Sequence, residues 1–165
     1  AYKNLDSKNS KILNIGSAGN SYGLDEENMV HLDIAEAKLL QVKNKVIASV
    51  EKMPFDNDQF DNIICVGSVL NYCDPTIAIK EISRVIKDNG KLVLEFENSK
   101  TLELYGRRDY NSFAVMKDTF YNKEAHSLWY FSEHSLALLL KQNGFKILTV
   151  HFLLHGVEQT LIELL

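Results

Sequence analysis

ILNIGSAGN, residues Ile12 to Asn20, is an apolar run that drops into small residues. Small residues after a strand let a ligand approach the backbone, and N–H groups there can bind its polar atoms. Alone, the pair Gly16-x-x-Gly19 is also an ordinary turn. What surrounds it has to decide between the two readings.

Apolar runs of strand length recur along the chain. Strands are predicted at Lys11–Ile15, Met29–Ile34, Lys45–Ser49, Asp61–Val66 and Lys91–Phe96, then at Gly144–Leu153 and Val157–Leu164. The early runs are near-continuous Ile, Val and Leu, the pattern of strands buried on both faces in a parallel sheet. The last two lie close together around His155-Gly156 and predict an antiparallel hairpin.

Two helices carry clear signals. Asp74-Pro75 offers an N-cap followed by Pro at the first helical position. Ile79, Ile82, Val85 and Ile86 form its apolar stripe, and Gly90 is its expected stop. The second helix starts at Ser132, with Phe131 and Leu136 as a hydrophobic staple, Leu136, Leu139 and Leu140 facing inward, and Gly144 at its end. Ala35 to Gln41 reads as a shorter helix. The connection GSAGNSYGLDEEN shows no apolar periodicity, so any helix in it is short or absent. Asn98 to Tyr130 is irregular and rich in aromatics, as expected of a lid or substrate-facing insertion or of a satellite apolar cluster.

Composition narrows the function classes. The net charge is −4 and the pI about 5.7, against the basic patch a nucleic-acid surface needs. The two cysteines, Cys65 and Cys73, have neither metal-type spacing nor a disulfide framework, which fits a reducing, cytoplasmic compartment. No apolar stretch approaches the roughly 20 residues of a membrane span. The chain shows no signal peptide pattern and opens on Ala1-Tyr2 without Met, as expected if an N-terminal segment is missing.

Asp33 ends the second strand. An acidic residue there accepts hydrogen bonds from ribose hydroxyls in doubly wound folds; it is equally placed to cap the helix that follows. With ILNIGSAGN, the segments VHLDIA, ASVEKMPFDNDQFDNIICVGSVLNYCDP and AIKEISRVIKDNGKLVLEF resemble the class I S-adenosylmethionine-dependent methyltransferases, especially their small-molecule branch. LWYFSEHSLALLLKQNGF resembles that family's helix before its terminal strands. The most specific pieces are EKMPFDNDQFDNI and EISRVIKDNGKLVLE.

The resemblance implies an α/β, Rossmann-like, doubly wound and mostly parallel sheet with a C-terminal antiparallel hairpin. It implies one domain over residues 1–165, with 98–131 as the substrate-facing insertion. It also implies S-adenosylmethionine as cofactor and methyl transfer to a small-molecule acceptor, with no nucleic-acid or membrane partner. Gly16, Ser17, Ala18 and Gly19 would line the loop at the cofactor's methionine part. Asp33 would bind the ribose, with Ile34 against the adenine. Val50, Glu51 and Met53 would border the adenine on its other side, and Val66, Gly67 and Ser68 would lie beside the methionyl group.

The chain departs from that family at its loop, which usually reads Asp-x-Gly-x-Gly-x-Gly. Asn14 replaces the acid, Ala18 the second glycine and Asn20 the third, and Ser49 stands where an acid often meets the adenine amino group. A positive φ at Ala18 would cost about 1 kcal/mol or more. These departures leave a second reading open, a non-catalytic cofactor-binding or protein-interaction module of the same fold. A nicotinamide dehydrogenase would want a longer glycine-rich turn.

Tyr72 and His126 are the catalytic candidates, Tyr72 by its closeness to the expected cofactor edge and His126 as a general base. Each also has a packing or solvent-exposed alternative. His134, in the first turn of its helix, reads as structural, and His31 as solvent- or helix-facing packing. Arg107, Arg108 and Lys117 are candidates to grip an anionic acceptor, or are simply solvated.

Overall fold

The computed structural model describes residues 5, 8–101, 104–121, 124–154 and 158–164. The apolar run before the glycine turn is strand β1 (Ile12–Ile15), buried throughout. Beside it lie β2 (Met29–Asp33) and β3 (Lys45–Ile47) on one side, and β4 (Phe60–Cys65) and β5 (Ile86–Glu97) on the other. The sheet has the order β3-β2-β1-β4-β5-β9-β8, where β8 is Ile147–Leu154 and β9 is Glu158–Leu164. β1 to β5 are mutually parallel; β9 runs antiparallel to both β5 and β8. This is the doubly wound fold with a terminal hairpin that the apolar runs predict. The order of the strands reverses between β1 and β4, and in such sheets ligands bind in the crevice beyond the strand tips at that place.

The two faces are covered differently. Leu13, Ile15, Ile63, Leu92 and Leu94 belong to a large core with α1 (Pro75–Val85) and α2 (Glu133–Gln142). On the opposite face Ile12, Met29, Ile64, Val66 and Val93 pack with Leu5, Tyr22 and Leu24. No helix forms between β1 and β2, as the sequence of that connection predicts. Ala35–Gln41 supplies only a 3-10 turn, Glu36–Leu39.

Both helices start as expected. Asp74 Oδ1 accepts the Thr76 and Ile77 N–H groups, a cap that contributes about 1 kcal/mol. Ser132 Oγ accepts the Ser135 N–H, and Phe131 and Leu136 share the large core. Gly144, at φ +88, follows the last turn of α2.

Gly90 is not a helix stop. α1 ends at Val85 and the chain turns directly into β5. Phe60 pairs with Ile86 but Asn62 with Lys91, so the intervening residues bulge. A Cβ on Gly90 would lie 2.9 Å from Asp61 O and 2.8 Å from Lys87 O, so the close backbone approach requires glycine there.

The region 98–130 is more ordered than its sequence indicates. It contains an antiparallel hairpin, β6 (Ala114–Tyr121) with β7 (Glu124–Phe131), separate from the main sheet.

The two most specific motifs form one hydrogen-bonded unit. Arg84 makes a two-pronged contact with Glu81, Nε to Oε1 and Nη2 to Oε2, both 2.8 Å. Its guanidinium also donates to Phe55 O at 2.7 Å and Met53 O at 3.1 Å, while Glu81 Oε2 accepts the Met53 N–H at 3.0 Å. Helix α1 thereby fixes the loop after β3, which borders the crevice.

Candidate functional site

The turn after β1 is wired by its own side chains. Asn14, fully buried, donates from Nδ2 to Asn20 O at 2.7 Å and so ties the start of the turn to its end. An aspartate in its place would set a carboxylate against that carbonyl. The Asn14 amide supplies the donor that this turn uses. Ala18 takes φ +46, the left-handed conformation that a side chain disfavours. Gly16 takes φ +63 and abuts the 3-10 turn Val69–Tyr72; a Cβ there would fall 2.1 Å from Val69 Cγ2.

Ser17 faces away from the crevice. Its Oγ accepts the Gly19 N–H at 3.2 Å and shares a 2.8 Å hydrogen bond with His31 Nδ1. His31 is thus neither solvent- nor helix-facing: it is buried under the turn, and burial lowers its pKa and keeps the ring neutral.

Asp33 joins three segments at the tip of β2. Its Oδ2 accepts the Ala18 N–H at 3.2 Å and its Oδ1 the Ala35 N–H at 3.0 Å. Asp33 is not the cap of the following helix: Ala35 holds that position and no side chain caps the 3-10 turn, while the two bonds leave each carboxylate oxygen a further lone pair. The same residue lines a hollow of about 270 Å³ with Gly16, Ile34, Ser49, Glu51 and Gly67. That is close to the lower end of small-molecule sites, roughly 300 Å³. Ile34 is 75% exposed beside it, an apolar side chain without cover.

Ser49 and Glu51 act as a pair. The Glu51 N–H donates to Ser49 Oγ at 3.1 Å and Ser49 Oγ to Glu51 Oε2 at 3.3 Å; Glu51 Oε1 accepts the Asp74 N–H at 2.8 Å. A carboxylate therefore stands two residues beyond the serine that replaces the family's acid. Val50 also lines the hollow, as do Val69, Tyr72 and Cys73. The Cys73 thiol is pushed up to about 12, by burial first and then by Glu51 and Asp74, so it is not a thiolate at neutral pH.

Of the residues singled out in the sequence, Gly16, Asp33, Ile34, Val50, Glu51 and Gly67 converge on the hollow. Ser17, Ala18, Gly19, Met53, Val66 and Ser68 stand outside its lining. Met53 and Val66 are buried in the two cores, and Ser68 Oγ donates to Glu97 Oε1 at 2.7 Å.

Tyr72 lines the hollow and His126 does not, but the two, distant in sequence, meet beside it. Their rings stand edge to face with centroids 6.1 Å apart. Tyr72 is 52% exposed there. Hairpin β6–β7 is held in place by Asn71, whose Nδ2 donates to Trp129 O. Asn71 does not stand out in the sequence, because its partners lie on β5 and β7. His134 is exposed and meets Phe113 edge to face. Lys117 is engaged by Asp109, while Arg107 and Arg108 are exposed away from the hollow.

Among the described residues, no group of His, Cys, Asp and Glu could hold a metal ion, and no helix is long and apolar enough to cross a membrane.

Comparison with known proteins gives a family and a shared fold. The family described as a methyltransferase domain matches residues 8–94. An uncharacterized protein of Methanocaldococcus jannaschii is 34% identical over 53% of this chain, which spans only 37% of that relative. A ubiquinone/menaquinone biosynthesis C-methyltransferase of Rickettsia massiliae is 30% identical over 88% of this chain and 68% of its own length. Among solved structures, a SAM-dependent methyltransferase of Methanosarcina mazei superposes with a TM-score of 0.73 at 21% identity, over 94% of this chain and 91% of that one; this likeness is one of fold.

Proposed function

The chain belongs to the methyltransferase domain family, and from that premise we propose that it binds S-adenosylmethionine in the hollow beside Asp33 and transfers its methyl group to a small organic acceptor. The observation that carries the reading is the Asp33 carboxylate, lining a hollow at the switch point between β1 and β4, flanked by the exposed Ile34. The residues fit a nucleoside: an acceptor for sugar hydroxyls, an apolar side chain for a base, and bare backbone at Gly16 and Gly67.

In this reading Asp33 accepts hydrogen bonds from the ribose while keeping its bonds to Ala18 and Ala35. Ile34 covers one face of the adenine, and Val50 and Glu51 border the other, with Met53 supporting them from the core. Gly16 and Gly67 let the methionyl arm pass close to the main chain; Ser17, Ala18 and Gly19 hold the turn, and Val66 and Ser68 hold the path after β4. The bound cofactor supplies an activated sulfonium methyl group, so alignment of the acceptor provides much of the acceleration. Tyr72 and His126 shape the acceptor's place at the mouth. His126 takes the proton of an acceptor that still carries one. Hairpin β6–β7, within residues 98–131, covers that place and keeps water out.

The relative from Rickettsia massiliae is named a ubiquinone/menaquinone biosynthesis C-methyltransferase. That supports a small, ring-bearing acceptor over a macromolecular one, as does the net charge of −4. A crystal soaked with S-adenosylhomocysteine tests the reading. Density for the nucleoside against Asp33 and Ile34, with space left beside Tyr72 and His126, supports it. An empty hollow at saturating ligand overturns it.

A further inference from the structure

His31 lies beneath the turn after β1, on the sheet face that carries Ile12 and Met29. It is 1% exposed, and Ser17 above it is 2% exposed. Ser17 Oγ accepts the Gly19 N–H at 3.2 Å and lies 2.8 Å from His31 Nδ1. A hydroxyl that accepts from Gly19 still has its own proton to place, and Nδ1 is the acceptor within reach. The neutral ring therefore carries its proton on Nε2. Its register partner on β1 supports this. Asn14 has a buried Oδ1 with no hydrogen-bond partner, and His31 Nε2 has none either. A proton on Nε2 makes these two atoms a donor and an acceptor on neighbouring strands. The other tautomer would set two acceptors there and leave the Ser17 proton without an acceptor.

The turn carries this bond to the hollow. Ser17 stands between Gly16, which lines the hollow, and Ala18, whose N–H donates to Asp33 Oδ2 at 3.2 Å. Ala18 is held at φ +46, which an alanine keeps only when its neighbours fix it. Protonating His31 would turn Nδ1 into a donor. Ser17 Oγ would then receive N–H groups from Gly19 and His31 together, and its own buried proton would lose its acceptor, so the turn would have to shift. Resting on the reading that S-adenosylmethionine occupies the hollow, we infer that His31 is a positioning residue for the cofactor: its neutral ring accepts the Ser17 hydroxyl and holds the turn in its binding shape, and protonation of the ring releases the turn.

Burial lowers the pKa of the ring, and the charge of Glu26, in the turn before β2, opposes this. Among the described residues, the other charged groups around it are Lys45, its register partner on β3, which donates from Nζ to Leu39 O at 2.9 Å, and Asp33, two residues along β2. β1 contributes Ile12 and Asn14 to this face, neither ionisable. Glu95 is buried on the same face at β5, where its Oε2 accepts the Gly67 N–H at 3.3 Å. The ring is neutral at pH 7, so cofactor affinity is full there and falls as pH drops through the folded value, below 6.5.

Nitrogen NMR of the imidazole and calorimetry with S-adenosylhomocysteine test this on the unaltered protein. The ring should show the Nε2–H tautomer at pH 7.5. S-Adenosylhomocysteine should bind about tenfold more weakly once the ring is protonated, and saturation with it should move the ring's titration midpoint down by about one pH unit. His31→Asn keeps an acceptor at the Nδ1 position and cannot titrate. It should bind more tightly than His31→Leu and lose the fall in affinity on acidification. Glu26, Asp33 and Glu95 remain in that variant, so an equal fall in it and in the unaltered protein belongs to them and overturns the role of His31. The Nδ1–H tautomer overturns it too. So does S-adenosylhomocysteine that binds without moving the ring's titration, although the cofactor reading then survives. No binding of S-adenosylhomocysteine at any pH overturns both.

Discussion

The Asn71 side chain is hydrogen-bonded twice to the backbone of Glu97: its Oδ1 accepts the Glu97 N–H at 2.9 Å and its Nδ2 donates to Glu97 O at 3.3 Å. The same Nδ2 reaches Trp129 O. One fully buried amide thus ties the turn after β4 to the end of β5 and to hairpin β6–β7. It sets the residue before Tyr72 and a strand that carries His126, so the meeting of those two rings depends on it.

Asn71→Ala would leave a backbone N–H and two carbonyls without these partners. A loss of roughly 2–3 kcal/mol in stability is expected, with faster hydrogen exchange in β6 and β7. Trp129 is the only tryptophan, so denaturant titration followed by its fluorescence reads the change. An unaltered midpoint would remove Asn71 from this role.

Arg84→Lys tests the unit that joins α1 to the loop after β3. A lysine keeps the charge but not the two-pronged contact with Glu81 or the bonds to Phe55 O and Met53 O. The variant should lose about 1–3 kcal/mol and bind nucleosides more weakly, since Val50 and Glu51, just before Met53 in that loop, line the hollow. Thermal melts and calorimetry measure the two effects; retention of both would contradict the account.

His31 gives stability a pH dependence of defined sign. Burial lowers its folded pKa below the ordinary 6.5, so between those values the unfolded chain binds more protons. Its contribution is full above pH 6.5 and is lost as pH falls through the folded value. Melting temperatures across this window should fall further for the unaltered protein than for His31→Gln. Parallel curves would show that the Ser17–His31 bond does not govern this window.

Glu95 has the opposite sign. Its folded pKa is raised above 4.5, so it disfavours the fold as pH rises through the folded value. Glu95→Gln should melt higher than the unaltered protein at pH 7, with the difference vanishing below pH 4.5. A lower melting temperature for the variant at pH 7 would give Glu95 a structural role instead.

What was legible in the sequence was what depends on neighbours along the chain. The strands next to ILNIGSAGN showed as unbroken apolar runs because both their faces are covered. The starts of α1 and α2 showed because Asp74 and Ser132 bond to backbone groups two or three residues on. The hairpin of 98–131 did not show: apolar and aromatic residues fall on both of its faces, and Asn122-Lys123 lacks the Asn-Gly type of turn signal. Gly90 follows a helical stripe closely enough to look like a stop, yet the register shift against β4 decides its place. In the candidate site, Asp33 and the glycines were visible from spacing and resemblance. The partners of His31, Asn71 and Glu95 were not, because Ser17, Trp129 and Gly67 reach them only across the folded sheet.

The central claim is that a nucleoside lies across the tips of β1 and β2 with its sugar on Asp33. Titration calorimetry with S-adenosylhomocysteine on the unaltered protein and on Asp33→Ala tests it most directly. The account predicts saturable one-to-one binding that the variant weakens by about tenfold or more, while the lost bonds to Ala18 and Ala35 lower stability only by about 1 kcal/mol. Equal affinity in the two proteins, or no heat at millimolar ligand from a folded sample, would contradict it.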